Sequence, residues 1–269
     1  MKIFESLGDL QSFLDSCRND NKEVSLVPTM GGLHDGHLRC VEKAQSLADV
    51  VVISIFVNPT QFAKGEDFDS YPKTLSNDKF LLEELGIDAL FIPSKDEIYP
   101  NGTLSNYDVG EMGRLLCGSS RPAHFNGVAQ VVNRLFNIVK PNYSVFGEKD
   151  YQQLLIIKSL VENNNLNVFI ESVSTQREDD GLAMSTRNKY LGAKDRMKAP
   201  LFYQQLSNAK TAIEQGDPIE FVVQKTLSEL SVNFEVEYLE VLNANNLTQI
   251  ATNTAEIIII SAIRLGETR

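Results

Sequence analysis

His34 and His37 stand three residues apart in VPTMGGLHDGHLRC, and they are two of only three histidines in 269 residues. Side chains at that spacing share one side of a helix start and can project together. Met30-Gly31-Gly32 just ahead lets the backbone approach a ligand closely. A helix beginning near Gly36-His37 would offer unpaired N–H groups and the positive end of its dipole to an anion. These features describe a turn that binds a triphosphate and stabilises charge developing during group transfer. A nearby phosphate would also favour protonated imidazoles. Two histidines could instead ligate a metal, but no third Cys or His partner is evident. The glycine pattern is neither a Walker loop nor the dinucleotide fingerprint.

The elements around this turn alternate. EVSLVPT reads as a strand, HLRCVEKAQSLA as a helix, and VVVISIFVNP as a β-branched strand buried on both faces. LSNDKFLLEELG is a helix stopped by Gly86, and IDALFIP is the next strand. NGVAQVVNRLFNIVK is helical, YSVFG a strand, DYQQLLIIKSLVEN a helix and LNVFIESV a strand. Such alternation predicts an α/β fold with a Rossmann-like parallel sheet. Ligands of such sheets bind beyond the carboxyl ends of the strands. The polar clusters Thr29–His37, Asn58–Gln61, Gly147–Asp150 and the segment after Val173 should therefore converge. Beyond residue 174 the texture changes to a long polar loop, STQREDDGLAMSTRN, then helices over roughly 193–215 and 218–231. NFEVEYLEVLN reads as a half-exposed strand, and AEIIIISAIRL as a final buried one. The expected boundaries are 1–174 for the Rossmann-like domain and 175–269 for a smaller C-terminal α/β domain.

Composition narrows the partners. With 36 acidic against 25 basic side chains the net charge is −11. That leaves no basic footprint for nucleic acid. An acidic chain that binds anions must concentrate its few cations at the site. No apolar run reaches membrane-spanning length, and Lys2, Glu5 and Asp9 interrupt any signal-peptide core, so a cytoplasmic protein is expected. Cys17, Cys40 and Cys117 are scattered and odd in number, which fits buried thiols better than disulfides or zinc. The acidic loop Glu66-Asp67-Asp69 reads as a solvated lid rather than a metal site.

His34-Asp35-Gly36-His37 is similar to the HxGH signature of the nucleotidyltransferase superfamily. PTMGGLHDGH, VVISIFVNPTQF, RPAHFNGVAQVVNRLFNIVKP, FGEKDYQQL and DGLAMSTRNKYL together resemble the pantoate–β-alanine ligase family, in its order, across residues 24–192. The resemblance implies an amide made from (R)-pantoate and β-alanine through pantoyl-adenylate, with ATP split to AMP and pyrophosphate. It implies ATP contacts from Met30, Gly31, Gly32, Leu33, His34, Asp35, Gly36 and His37, with His37 as proton donor. Gly147, Glu148, Lys149 and Asp150 match a second nucleotide segment. Gln176 matches a backbone contact to adenine. Met184, Ser185, Thr186 and Arg187 match the mobile motif that plays the part of KMSKS in class I tRNA synthetases. Gln61 matches a glutamine shared by the pantoate and β-alanine sites, Gln153 a second pantoate glutamine, and Asn58 a neighbour of the acyl-adenylate. Val128, Val132 and Leu135 fall where the family lines its pantoate pocket, although their helical spacing alone would more often mean core. Where the family has two adjacent carboxylates this chain has Asn77-Asp78, which leaves Asp78 as the candidate Mg²⁺ contact, direct or through water. The resemblance also implies a homodimer, with VVVISIFV in a sheet near an interface.

The implied chemistry suits these residue types. A carboxylate is a poor acylating agent until its oxygen carries a good leaving group. Negative charge then accumulates on phosphorus and pyrophosphate, and Lys149, Arg187, His34, His37 and Mg²⁺ are the available cations or donors. Neutral Gln61 and Gln153 can orient pantoate without an ion pair. Closure of DGLAMSTRN would protect a hydrolysable intermediate. Rival readings are a nucleotidyltransferase that stops at an adenylated product, and a non-catalytic nucleotide-binding module. A tRNA synthetase fits less well, because no basic RNA-binding appendage is present.

Overall fold

The structure is a computed structural model that describes residues 1–103, 107–252 and 254–269. The chain divides into two units, Met1–Thr175 and Gln176–Arg269. In the first, strands β1 (Lys2–Phe4), β2 (Val24–Thr29), β3 (Val50–Ile55), β4 (Ala89–Phe91), β5 (Tyr143–Gly147) and β6 (Phe169–Val173) form one sheet in the order β1-β4-β3-β2-β5-β6. Every pairing in it is parallel. Helices α1 (Leu7–Asn19), α2 (Asp35–Gln45), α3 (Leu75–Glu84), α4 (Lys95–Ile98), α5 (Cys117–Ser120), α6 (His124–Val139) and α7 (Tyr151–Asn163) provide the crossovers and connections.

Burial explains the strand composition. All six residues of β3 are buried, as a strand covered on both faces requires. It pairs with β2 from Val24↔Val50 to Thr29↔Ile55 and with β4 on its other side. β3 is thus an interior strand of the sheet. The apolar stripe of α6 packs Val128, Val132, Leu135, Phe136 and Val139 into the core that also holds Leu26, Val52 and Phe91. Each such side chain contributes roughly 1.5–3 kcal/mol by leaving water. The strand order reverses between β2 and β5, so the carboxyl ends of β2, β3 and β5 rim one crevice.

The second unit holds α8 (Ala193–Lys198), α9 (Pro200–Glu214), α10 (Ile219–Leu230) and the antiparallel pair β7 (Glu235–Asn243) and β8 (Ile257–Arg264). Its core gathers Ala199, Leu230, Phe234, Leu239 and Leu265. Two expectations need correction here. The helix over 193–215 is split at Ala199, because Pro200 has no N–H to continue the ladder and begins α9 instead. β8 is not buried: its six central residues are half-exposed, since a two-stranded sheet covers it along one edge only.

Candidate active site

The turn after β2 is built around a buried carboxylate. Thr29 Oγ1 donates to Ser54 O at 2.8 Å and accepts from Gly31 N at 3.2 Å, which folds the chain back over β3. Gly31 and Gly32 then take φ of 82° and 66°, the left-handed region where a side chain is strained. Asp78, in the first turn of α3, accepts from Gly32 N and Leu33 N, each at 2.9 Å, and from Thr74 Oγ1 at 3.0 Å. A Cβ at Gly31 would come within 3.1 Å of Asp78 Oδ2. With 1% of its surface exposed and both oxygens engaged, Asp78 is a clamp on the turn. A hard cation needs open carboxylate lone pairs and its waters. Among the described residues no group of three His, Cys, Asp or Glu is placed to hold a metal ion.

α2 starts at Asp35 with His34 as its N-cap. His34 Nδ1 accepts from Gly36 N at 3.1 Å, and His37 Nδ1 accepts from the N–H of His34 at 3.4 Å. An accepting Nδ1 obliges the neutral ring to carry its hydrogen on Nε2. The two rings lie 4.1 Å apart, centroid to centroid. Burial, then the neighbouring His34 and Lys149, lower the His37 pKa to about 3, against an opposing pull from Asp150. Without a nucleotide, His37 is a neutral N–H donor rather than the protonated cation expected beside a phosphate.

The same electrostatics place the turn after β5 beside the turn after β2. Gly147 closes β5, and Glu148–Asp150 form a single 3₁₀ turn leading into α7. Glu148 Oε1 accepts from Ser172 Oγ at 2.7 Å, which ties this turn to β6. Lys149 Nζ sits 3.3 Å from Asp150 Oδ2 with both side chains largely solvated. That pair is weak and can give way to a ligand. Gln153 is half-buried one turn into α7. Its neighbour Gln152 is the structural one: 3% exposed, it donates to Met112 O and Leu115 O and accepts from Cys117 N.

The turn after β3 completes the rim. Asn58 caps the 3₁₀ turn Pro59–Gln61 and donates to Gln61 Oε1 at 3.0 Å. Gln61 Nε2 reaches Met30 Sδ at 3.1 Å, so the β3 and β2 turns touch. The start of α6 grips this loop from behind. Arg121 pairs with both oxygens of Glu66 and donates to Gln61 O at 3.3 Å, and His124 Nδ1 donates to the same carbonyl at 2.8 Å. Burial pushes the Glu66 carboxyl up, but the Arg121 hydrogen bonds, the N–H of Ala63 and the charges of Arg121 and His124 together outweigh it and hold it below its ordinary range. Glu66 is thus an anchor, not part of a solvated lid. Burial followed by Arg121 lowers the His124 pKa to about 4. Arg121 and His124 escaped the sequence reading as individual residues, although RPAHFNGV contains both. Val128, Val132 and Leu135 lie one to three turns further along α6, 2–3% exposed, and core packing accounts for them.

In the second unit Met184 N donates to Gln176 O, and Arg177 bridges to Ala183, so 176–184 folds as a tight antiparallel hairpin. Ser185 Oγ accepts from Arg187 N at 3.2 Å and caps the 3₁₀ turn Thr186–Tyr190. Thr186 is buried, whereas Met184, Ser185 and Arg187 are half-buried. Arg196 holds this hairpin through Glu178 and Asp180, each at 2.6 Å. Asn188 adds bonds to Glu178 Oε1 and Ala183 O.

Known proteins are similar to this chain along nearly all of their length. A family model described as pantoate-beta-alanine ligase matches residues 2–269. A pantothenate synthetase of Vesicomyosocius okutanii is 47% identical over 269 residues, covering 100% of this chain and 95% of the relative. The crystal structure of pantothenate synthetase from Thermus thermophilus superimposes with a TM-score of 0.93 at 39% identity, covering 99% of this chain and 96% of that one. The pantoate-beta-alanine ligase of Francisella tularensis, complexed with beta-gamma ATP and beta-alanine, gives 0.82 at 35% identity over 100% and 95% of the two chains. A match of this extent, on a sheet whose β2, β3 and β5 ends carry the imidazoles, Gln61 and Lys149, leaves one conclusion: this chain belongs to the pantoate–β-alanine ligase family.

Proposed function

We propose that this chain condenses (R)-pantoate with β-alanine, using ATP and releasing AMP and pyrophosphate. A pantoate carboxylate oxygen attacks the α-phosphorus of ATP, and the bond to the bridging oxygen breaks to free pyrophosphate. The amine nitrogen of β-alanine then attacks the acyl carbon of pantoyl-adenylate, AMP leaves, and a proton passes to solvent. The observation that carries this reading is the meeting of three strand ends: Gln61 bonds Met30, while His37 feels Lys149 and Asp150. A neutral acid-binding amide thereby stands beside scarce phosphate-binding donors.

In this reading Met30 through His37 and Gly147–Asp150 bind the triphosphate. His34 and His37 offer Nε2–H to phosphate oxygens, and Lys149 leaves Asp150 to neutralise pyrophosphate. Gln176, Met184, Ser185, Thr186 and Arg187 are the residues of the second unit for which the family resemblance implies ATP contacts. Asn58, Gln61 and Gln153 orient pantoate, with Val128, Val132 and Leu135 as the closed apolar floor behind them. Mg²⁺ arrives as part of the MgATP substrate, held by phosphate and water. The family resemblance also supports a cytoplasmic homodimer, which sedimentation of the purified chain checks.

The decisive test is exchange of labelled pyrophosphate into ATP. Exchange should require pantoate, and AMP release should require β-alanine as well. Exchange without pantoate, or a stable adenylate indifferent to amine, would replace the ligase reading with a nucleotidyltransferase.

A further inference from the structure

Gln61 has its polarity imposed on it. Asn58 is 1% exposed, and two main-chain groups of fixed character surround its amide. The N–H of Thr60, which can only donate, lies 3.3 Å from Asn58 Oδ1. The carbonyl of Gly127, which can only accept, lies 3.1 Å from Asn58 Nδ2. These two contacts settle which end of the amide is oxygen without appeal to any other side chain. The α6 backbone lies tight against this loop, where a Cβ at Gly127 would clash with Thr60 O.

Two consequences follow. The Tyr99 hydroxyl, 2.7 Å from Asn58 Oδ1, must be a donor. Tyr99 is 6% exposed, and burial pushes its phenol pKa up, so the proton stays in place near neutrality. At the other end Asn58 Nδ2 faces Gln61 Oε1 at 3.0 Å, so that atom is the oxygen. Gln61 is left to offer Nε2–H to a ligand, and its protein contact there is the weak acceptor Met30 Sδ.

We propose that Tyr99 is a positioning residue for the acid substrate: its hydroxyl locks Asn58, and Asn58 holds Gln61 as an N–H donor to a substrate oxygen. The inference rests on the pantoate-activating reading above. Tyr99 touches no substrate itself. It follows α4 at the far end of a relay whose members come from three separate segments: residues 58–61, residue 99 and the first turn of α6.

The test is a double-mutant cycle on the full chain, read as pantoate KM and kcat. Tyr99→Phe removes one oxygen and keeps the ring. It should raise the pantoate KM roughly 3- to 10-fold, as loss of one hydrogen bond does, with kcat within about 2-fold. In a Gln61→Ala background the same change should cost nothing further, because the relay then ends on no donor. Equal losses in both backgrounds would mean that Tyr99 acts only through general packing, and would overturn the inference. Asn58→Asp is the second probe. It keeps the shape but sets an acceptor oxygen against Gln61 Oε1 and Gly127 O, and should raise the pantoate KM more than Tyr99→Phe. A folded Asn58→Asp enzyme with a wild-type KM also overturns the inference. Wild-type protein without pantoate-dependent AMP release would bring down the underlying reading and this inference together, which separates the two failures.

Discussion

The first unit fixes its site from within, whereas the second fixes its own from the surface. The turns after β2 and β3 are held by Asp78 and Asn58, each 1% exposed and each bonded to backbone. The hairpin at 176–184 is held by Arg196, Glu178 and Asp180, whose side chains are 32–39% exposed. Buried charge-assisted bonds to main chain resist displacement, because losing them strands polar groups away from water. Exposed ion pairs contribute little and break readily. The turns of the first unit are therefore held as a rigid template, and the hairpin of the second by contacts that exchange readily. Reactions that bring three substrates together gain most from rigidity where the reacting atoms are oriented.

The largest expected effect comes from breaking the template at its catalytic donor. His37→Ala should lower kcat on the order of 10²- to 10³-fold while the thermal midpoint stays near wild type, measured by AMP release and calorimetry. A comparable loss of thermal stability would mean that His37 supports the cap of α2 more than the reaction. Next comes the clamp itself. Asp78→Ala removes the carboxylate that accepts from the N–H groups of Gly32 and Leu33 in a buried turn, so it should cost about 2 kcal/mol or more and weaken ATP binding. Asp78→Asn retains one acceptor oxygen and should recover part of both. In neither variant should the Mg²⁺ concentration for half-maximal rate rise once ATP saturates. A selective rise would restore Asp78 as a metal ligand.

Much of this template is legible in the sequence, for reasons particular residues make plain. The β3 run is unbroken and β-branched because both its faces are covered, and that is a local signal. The imidazoles stand out because histidine is scarce and the spacing of His34 and His37 is set by one helical turn. What stays hidden depends on partners distant in the chain. Asp78 clamps Gly32 across 46 positions and Arg121 meets Glu66 across 55, and no local pattern marks either pairing. The strand β1 has only three residues, and its existence depends on β4 to pair with it. β8 misleads because four consecutive isoleucines look like a core strand, although only one neighbour covers it. Pro200 carried a readable signal for the break between α8 and α9.

A more direct comparison of the two regions sets one arginine against another. Arg121 and Glu66 are 14% and 24% exposed, whereas Arg196 and Glu178 are 32% and 33%. Arg121→Ala should cost roughly 1–3 kcal/mol and also raise the pantoate KM, because Gln61 O loses a donor. Arg196→Ala should cost about 0–1 kcal/mol and leave the pantoate KM alone. Urea titration and steady-state kinetics on both variants check this. Equal destabilisation would erase the distinction between a buried template and a surface-held hairpin.

The smallest effect is a pH dependence that belongs to the template alone. His37 and His124, both in the first unit, have folded-state pKa values near 3 and 4, well below the ordinary 6.5. The unfolded chain therefore binds protons between pH 7 and pH 6 that the folded chain does not, so stability falls as pH falls. Because both folded values lie far below this window, the loss is set by the unfolded pKa and is roughly 0.7 kcal/mol per histidine. Their combined stabilisation is fully present above about pH 7.5 and declines continuously down to the folded pKa values. His124→Gln keeps a donor for Gln61 O and removes one titrating ring, so it should halve the histidine share of the change between pH 7 and pH 6 in urea unfolding of the nucleotide-free protein. An unchanged slope would show that His124 titrates in the fold as it does in the unfolded chain, and a steeper fall would show that it is already protonated there, with the Gln61 carbonyl held by a cation instead of a neutral imidazole.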